Sequence, residues 1–119
     1  MRRAAWLVGP IAALVLANQP AAAHAILVES NPAIAATVPP GAVAIALRYN
    51  SRIDRGRSRV TLTRPDHTDA VLPVAPSSPE DALDTTVELT PGSYVLHWQV
   101  LAVDGHITRG NVPFVVGKP

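Results

Sequence analysis

Apolar and polar residues alternate along most of the chain after residue 24, in short runs separated by turn residues. The longest run spans residues 94–103, where the even positions from Tyr94 to Ala102 are apolar and His97 and Gln99 take odd positions. A period of two is typical of a β-strand with one buried face, and it turns the even set toward a core. His97 is therefore expected at the surface.

Six further runs show strand patterns, at residues 25–29, 43–49, 58–63, 70–75, 85–89 and 111–116. Turn signals separate them, among them Pro39-Pro40-Gly41 and Pro91-Gly92. No stretch of this part shows a convincing helical period of 3.6 residues. The pattern predicts an all-β fold, a seven-stranded antiparallel Greek-key β-sandwich of the immunoglobulin-like or cupredoxin-like barrel type.

The first 23 residues follow a different pattern. Arg2 and Arg3 precede an apolar run over residues 4–17, and Ala21-Ala22-Ala23 supplies the small residues that a signal peptidase requires. The apolar run is shorter than the ~20 residues that span a bilayer. We expect residues 1–23 to be a cleaved signal peptide, residues 24–119 to be one exported domain, and the location to be the periplasm.

Removing the signal changes the charge balance, because eight Lys and Arg then face nine Asp and Glu, for a net charge of −1. No basic patch favours nucleic acid, and no second apolar segment favours membrane insertion after cleavage. The chain has no cysteine, and its only methionine is Met1. The mature chain therefore lacks the sulfur ligands that copper(I) prefers.

Two features suggest a metal site. Cleavage after Ala23 would make His24 the first residue, with an α-amino group and an imidazole that can chelate one ion together. Asp104-Gly105-His106 ends the longest predicted strand, and residues at i and i+2 of an extended chain point to the same side. These nitrogen and oxygen donors suit one copper(II) ion. The alternatives are an accidental histidine and an Asp-Gly hairpin turn.

The sequence resembles the CopC family of exported copper-binding proteins. The resemblance begins with His24-Ala25 and Ser30-Asn31-Pro32-Ala33 and continues through the strand that ends at Tyr49. It is strongest in four blocks: Gly92-Ser93-Tyr94, Trp98-Gln99-Val100, Asp104-Gly105-His106, and Gly110 with Phe114-Val115. The resemblance implies a small β-sandwich with copper(II) held by His24, through its amine and imidazole, and by Asp104 and His106.

The chain departs from the family pattern at three points. Some members carry a methionine-rich loop for copper(I), and the mature chain has no methionine. Some members place a glutamate near the copper(II) ion, two residues after the aromatic of the early strand, where this chain has Ser51. Ala35 stands where members usually have a glycine. The copper(I) site is therefore not carried over to this chain.

Three functions compete. The first is a monomeric copper(II) carrier or buffer in copper resistance or homeostasis, which could deliver copper to an inner-membrane transporter. The second is a copper-dependent oxidative enzyme, which we do not expect, because Asp104 would fill a position that oxygen chemistry needs open. The third is an immunoglobulin-like structural module without metal. His67 and His97 are interpreted as surface histidines, with a weak second metal contact as the alternative.

Overall fold

Eight β-strands form the structure, a computed structural model that describes residues 25–117. They are β1 (Leu27–Asn31), β2 (Thr37–Val38), β3 (Gly41–Tyr49), β4 (Arg59–Thr63), β5 (Asp69–Leu72), β6 (Ala82–Leu89), β7 (Gly92–Leu101) and β8 (Ile107–Val116). A short 3-10 helix, Arg55–Arg57, precedes β4. Within this described part, no helix is long and apolar enough to cross a membrane. The predicted signal peptide, residues 1–23, and His24 lie outside it.

The strands form two sheets. The smaller sheet has the order β1-β3-β6, and the larger has the order β2-β8-β7-β4-β5. The chain passes from one sheet to the other five times: between β1 and β2, β2 and β3, β3 and β4, β5 and β6, and β6 and β7. The two sheets enclose one apolar core. The predicted all-β sandwich class is confirmed.

The strand count and one pairing differ from the prediction. The structure has eight strands because Thr37–Val38 forms the two-residue β2, and β2 runs parallel to the end of β8 rather than antiparallel. A two-residue strand gives no alternation to detect, so the sequence pattern missed it. The other ladders are antiparallel, as predicted.

Several strand limits also differ. β6 begins at Ala82, three residues before the predicted start, because Ala82 and Leu83 pair with the end of β3. Both residues are buried, so alternation fails there. β8 begins at Ile107, four residues early, because Ile107 pairs with Leu101 across a tight turn. β5 ends at Leu72 because Pro73 has no N–H to continue a ladder.

Alternation builds the core as predicted. In β7 the buried residues are Tyr94, Leu96, Trp98 and Val100, and His97 is exposed. Two aromatic pairs connect the strands. The rings of Tyr49 and Trp98 meet edge to face with centroids 5.2 Å apart, and Tyr94 stacks on Phe114 at 5.6 Å. Apolar and aromatic packing, with no disulfide, holds the core together.

Gly110 is required by the same packing. It lies directly opposite Trp98 in the β7–β8 ladder, and the indole ring lies across it. A Cβ atom on residue 110 would overlap the ring carbons of Trp98. The glycine therefore makes room for the largest side chain of the core.

Candidate metal centre

A tight turn joins β7 to β8 and carries two of the three candidate ligands. Gly105 N donates to Ala102 O at 2.9 Å, and Ala102 N donates to His106 O at 2.8 Å. Gly105 has a φ of +93°, a conformation that glycine adopts more easily than other residues. The hairpin-turn interpretation of Asp-Gly is therefore correct, and the expected extended conformation over residues 104–106 is wrong.

The turn nevertheless brings the two side chains together. Asp104 Oδ1 accepts a hydrogen bond from His106 N at 3.1 Å, and Asp104 Oδ2 lies 2.9 Å from His106 Nδ1. The side chain of Asp104 is 28% exposed and that of His106 is 57% exposed, so an ion can reach both from solvent. A metal bound by both groups would replace the proton between them, because ligands bind metals deprotonated.

The start of the described chain lies beside this hairpin. Ala25 is fully buried, and its carbonyl accepts a hydrogen bond of 2.8 Å from Thr108 Oγ1. The next residue is also held, since Ile26 N donates to Asn50 Oδ1 at 2.8 Å and Asn50 N donates to Ile26 O at 3.0 Å. Thr108 lies two residues beyond His106. Neither Thr108 nor Asn50 was predicted, because each holds the chain through hydrogen bonds between residues far apart in sequence.

Among residues 25–117, no three His, Cys, Asp or Glu side chains come together as a metal-binding group. Asp104 and His106 form a pair, and His24, the third candidate, lies outside these residues. The structure therefore brings two of the three predicted ligands together and leaves the third at the position just before Ala25.

Comparison with known proteins identifies the fold family. Residues 27–117 match the model of the CopC domain. The chain belongs to the CopC family. Copper resistance protein C of Xanthomonas campestris pv. juglandis is 33% identical over 110 residues, which cover 85% of this chain and 86% of the relative. Protein YobA of Escherichia coli K12 is 33% identical over 98 residues, or 79% of each chain.

Solved structures of CopC proteins also resemble this fold. CopC from Methylosinus trichosporium OB3b superposes with a TM-score of 0.68 at 26% identity, covering 80% of this chain and 95% of that one. PcoC, a methionine-rich copper resistance protein from Escherichia coli, gives 0.62 at 26% identity, covering 79% and 99%. The CopC family consists of copper-binding resistance proteins and not enzymes, so the prediction of a non-enzyme is confirmed by membership.

The two histidines interpreted as surface residues lie away from the turn. His97 is exposed on the outer face of β7, where its ring contacts Thr63 and Asn111. His67 is exposed in the turn between β4 and β5 and has a φ of +69°. Neither joins a group of metal ligands within the described part of the chain. Both are surface histidines, as interpreted.

Buried polar groups lie at the end of β3. The hydroxyls of Tyr49 and Ser51 and the Trp98 indole Nε1 are buried and have no hydrogen-bond partner among residues 25–117. Burial raises the pKa of the Tyr49 phenol, because the ionised form loses its hydration. Ser51 carries no carboxylate, so this position offers no acidic ligand to a metal.

Proposed function

We propose that residues 24–119 form an exported copper(II)-binding protein that holds one ion at His24, Asp104 and His106. The protein acts as a periplasmic carrier or buffer in copper resistance or homeostasis. The observation that carries this proposal is the hydrogen bond from Thr108 to Ala25. It fixes the chain beside the β7–β8 hairpin at the residue that follows His24.

The reach of the chain supports a shared site. Consecutive Cα atoms lie about 3.8 Å apart, so the backbone of His24 stays close to the fixed Ala25. Two residues of extended chain span roughly 7 Å, so Thr108, near the start of β8, lies within about that distance of His106, which precedes the strand. An imidazole and an amine at position 24 can therefore meet the Asp104–His106 pair.

The chemistry of the donors supports copper(II) over copper(I). Two imidazoles, one amine and one carboxylate are nitrogen and oxygen donors, which suit tetragonal copper(II). The relative PcoC is described as methionine-rich, whereas this chain has one methionine, Met1, which the predicted cleavage removes. We therefore propose a copper(II) protein without the soft site that copper(I) requires.

Cleavage after Ala23 is part of the proposal, because only cleavage creates the α-amino ligand. Intact-mass measurement of the exported protein should give a chain that begins at His24. A carrier role would require a partner that takes the ion, and an inner-membrane copper transporter is the proposed receiver. The protein itself is proposed to act as a monomer.

The test compares two purified forms, one beginning at His24 and one with a single glycine before it. The extra residue converts the amine of His24 into an amide and keeps both imidazoles. Competition titration against a copper(II) chelator should show affinity weakened by about a hundredfold in the extended form. Equal affinities would refute the amine ligand. A parallel titration with a copper(I) chelator should show little retention of copper(I) by either form.

A further inference from the structure

A polar cavity lies on the outer face of the larger sheet, away from the proposed copper ligands. It has a volume of about 270 Å³, and Trp98 of β7 and Gly110 of β8 contribute to its lining. Six polar side chains line it: Arg59, Thr61, His97, Gln99, Arg109 and Asn111. We propose that this cavity binds a small oxyanion with two negative charges, of the phosphate or dicarboxylate class.

The strand register arranges these side chains in two rows. Arg59, Gln99 and Arg109 are directly opposite one another on β4, β7 and β8. Thr61, His97 and Asn111 form the next row on the same face, about 7 Å away. Opposite residues have Cβ atoms about 5 Å apart, so the two arginines start roughly 10 Å apart. Both guanidinium groups can therefore reach one ligand held between the rows.

The charge of the cavity favours an anion. Three other arginines lie close to carboxylates: Arg48 to Glu29 at 2.6 Å, Arg52 to Glu80 at 3.7 Å and Arg57 to Asp54 at 3.8 Å. Among residues 25–117, Arg59 and Arg109 form no such ion pair, and no carboxylate lines the cavity. Two like charges in one row repel each other, and a bound anion would remove that repulsion.

Hydrogen bonds fix the donors around the cavity. Arg109 Nε donates to Gln99 Oε1 at 2.8 Å, which orients the guanidinium and leaves its two Nη groups and the Gln99 amide N–H groups as donors. Fixed arginine N–H groups are well suited to bind the two oxygens of a phosphate or carboxylate.

The second row is held in place by Thr63, a residue of β4 next to the cavity. The Thr63 hydroxyl donates to Asp69 Oδ1 at 2.6 Å. Because that proton is used, Thr63 Oγ1 accepts from His97 Nε2 at 2.9 Å. The other ring nitrogen, Nδ1, lies 2.8 Å from the amide oxygen Asn111 Oδ1. Each nitrogen of the His97 ring therefore has a polar neighbour. Asp69, the nearby acid, accepts a hydrogen bond from Thr63 and does not line the cavity.

The test uses copper-free protein beginning at His24, titrated with inorganic phosphate, with succinate and with sodium chloride at matched ionic strength. Matched ionic strength keeps screening constant, so that a specific site is separated from general charge effects. Amide NMR shifts should change saturably with phosphate, succinate or both, and the changes should concentrate on residues 59–61, 97–99 and 109–111. Chloride should give no saturable change.

Three variants complete the test. R59Q and R109Q should each weaken anion binding by about tenfold, the loss expected for one charge-assisted contact. R52Q, which removes an exposed arginine outside the cavity, should bind as the unchanged protein does. The proposal is overturned if neither phosphate nor succinate saturates, or if R52Q weakens binding as much as R109Q. Preserved amide dispersion in each variant shows that the fold is intact. Copper binding plays no part in this test.

Discussion

Gly105 determines how the Asp104 and His106 side chains face each other. Its φ of +93° bends the chain, and a Cβ atom added there would meet nothing within 4 Å. The position is therefore restricted by backbone conformation and not by space. With the bend in place, Asp104 contacts both the backbone N–H and the ring of His106. The carboxylate orients the imidazole before any metal arrives, which reduces the ordering that binding requires.

His106→Ala should weaken copper(II) binding by about a hundredfold, because it removes the imidazole that Asp104 orients. The matched control is His67→Ala, since His67 is exposed in a different turn. Chelator competition gives the affinities, and electron paramagnetic resonance gives the number of coordinated nitrogens. Loss of the nitrogen hyperfine pattern on His67→Ala, with retention on His106→Ala, would contradict the assignment.

Gly110→Ala should lower the free energy of unfolding by about 1–3 kcal/mol, because the new methyl group overlaps the Trp98 ring in a packed core. Gly56→Ala is the control: its added methyl would lie 3.6 Å from Asp54 Oδ1, an ordinary contact. Chemical denaturation followed by Trp98 fluorescence measures both. Equal midpoints for the two variants would show that the indole moves aside without loss of stability.

At the level of elements, β8 connects three parts of the molecule. Its first residue pairs with the end of β7, Thr108 holds Ala25 and its last two residues pair with β2. The proposed copper site would depend on the first two of these contacts. A substitution in the first two residues of β8 should therefore affect both the hairpin and the start of the described chain.

Thr108→Val should cost about 1 kcal/mol of stability, because valine keeps the shape of threonine but cannot donate to Ala25 O. If that bond positions His24, copper(II) affinity should also fall, by up to about fivefold. Thr86→Val is the control, since Thr86 is exposed on β6 and its side chain forms no hydrogen bond among residues 25–117. Thermal unfolding with and without copper(II) separates the two effects. Equal copper-induced shifts in both valine variants would mean that Thr108 does not serve the site.

The alternation of apolar and polar residues predicted the strands that have one buried face. It did not predict strand segments in which that alternation is short or absent. The inward set of β7 and the outward position of His97 follow from parity alone. β2 has two residues, and the early start of β6 depends on pairing with β3, so neither could be seen locally. The Asp104–His106 pair was found from its spacing, although an i, i+2 pair meets here through a turn. Thr108 was missed because its partner lies 83 residues away.

Across the whole molecule, stability should decline in alkaline solution. A phenol in the unfolded chain ionises near pH 10, whereas burial raises the pKa of Tyr49 above that value in the folded state. The unfolded state therefore loses its proton first as pH rises. The contribution of this group is complete below about pH 10 and is lost progressively above it.

Tyr49→Phe should reduce this alkaline loss. At neutral pH it should leave stability unchanged or slightly higher, because the removed hydroxyl has no hydrogen-bond partner among residues 25–117. Tyr94→Phe is the contrast at neutral pH: its hydroxyl donates to Thr90 O at 2.7 Å, so its loss should cost about 1 kcal/mol. Denaturant midpoints measured between pH 7 and about 11 give both results. The same alkaline slope in Tyr49→Phe and the unchanged protein would contradict the assignment.

The pairing of the segment before β3 with β8 bears on self-association. Ala35 N donates to Pro113 O, Val115 N to Ala36 O and Gly117 N to Val38 O. A bare strand edge invites a strand from another molecule, and such pairing can start aggregation. Here the backbone groups that an incoming strand would need are already used along this half of β8. In a chain without cysteine, whose strands no disulfide can hold in register, these three hydrogen bonds close this half of the β8 edge to an incoming strand.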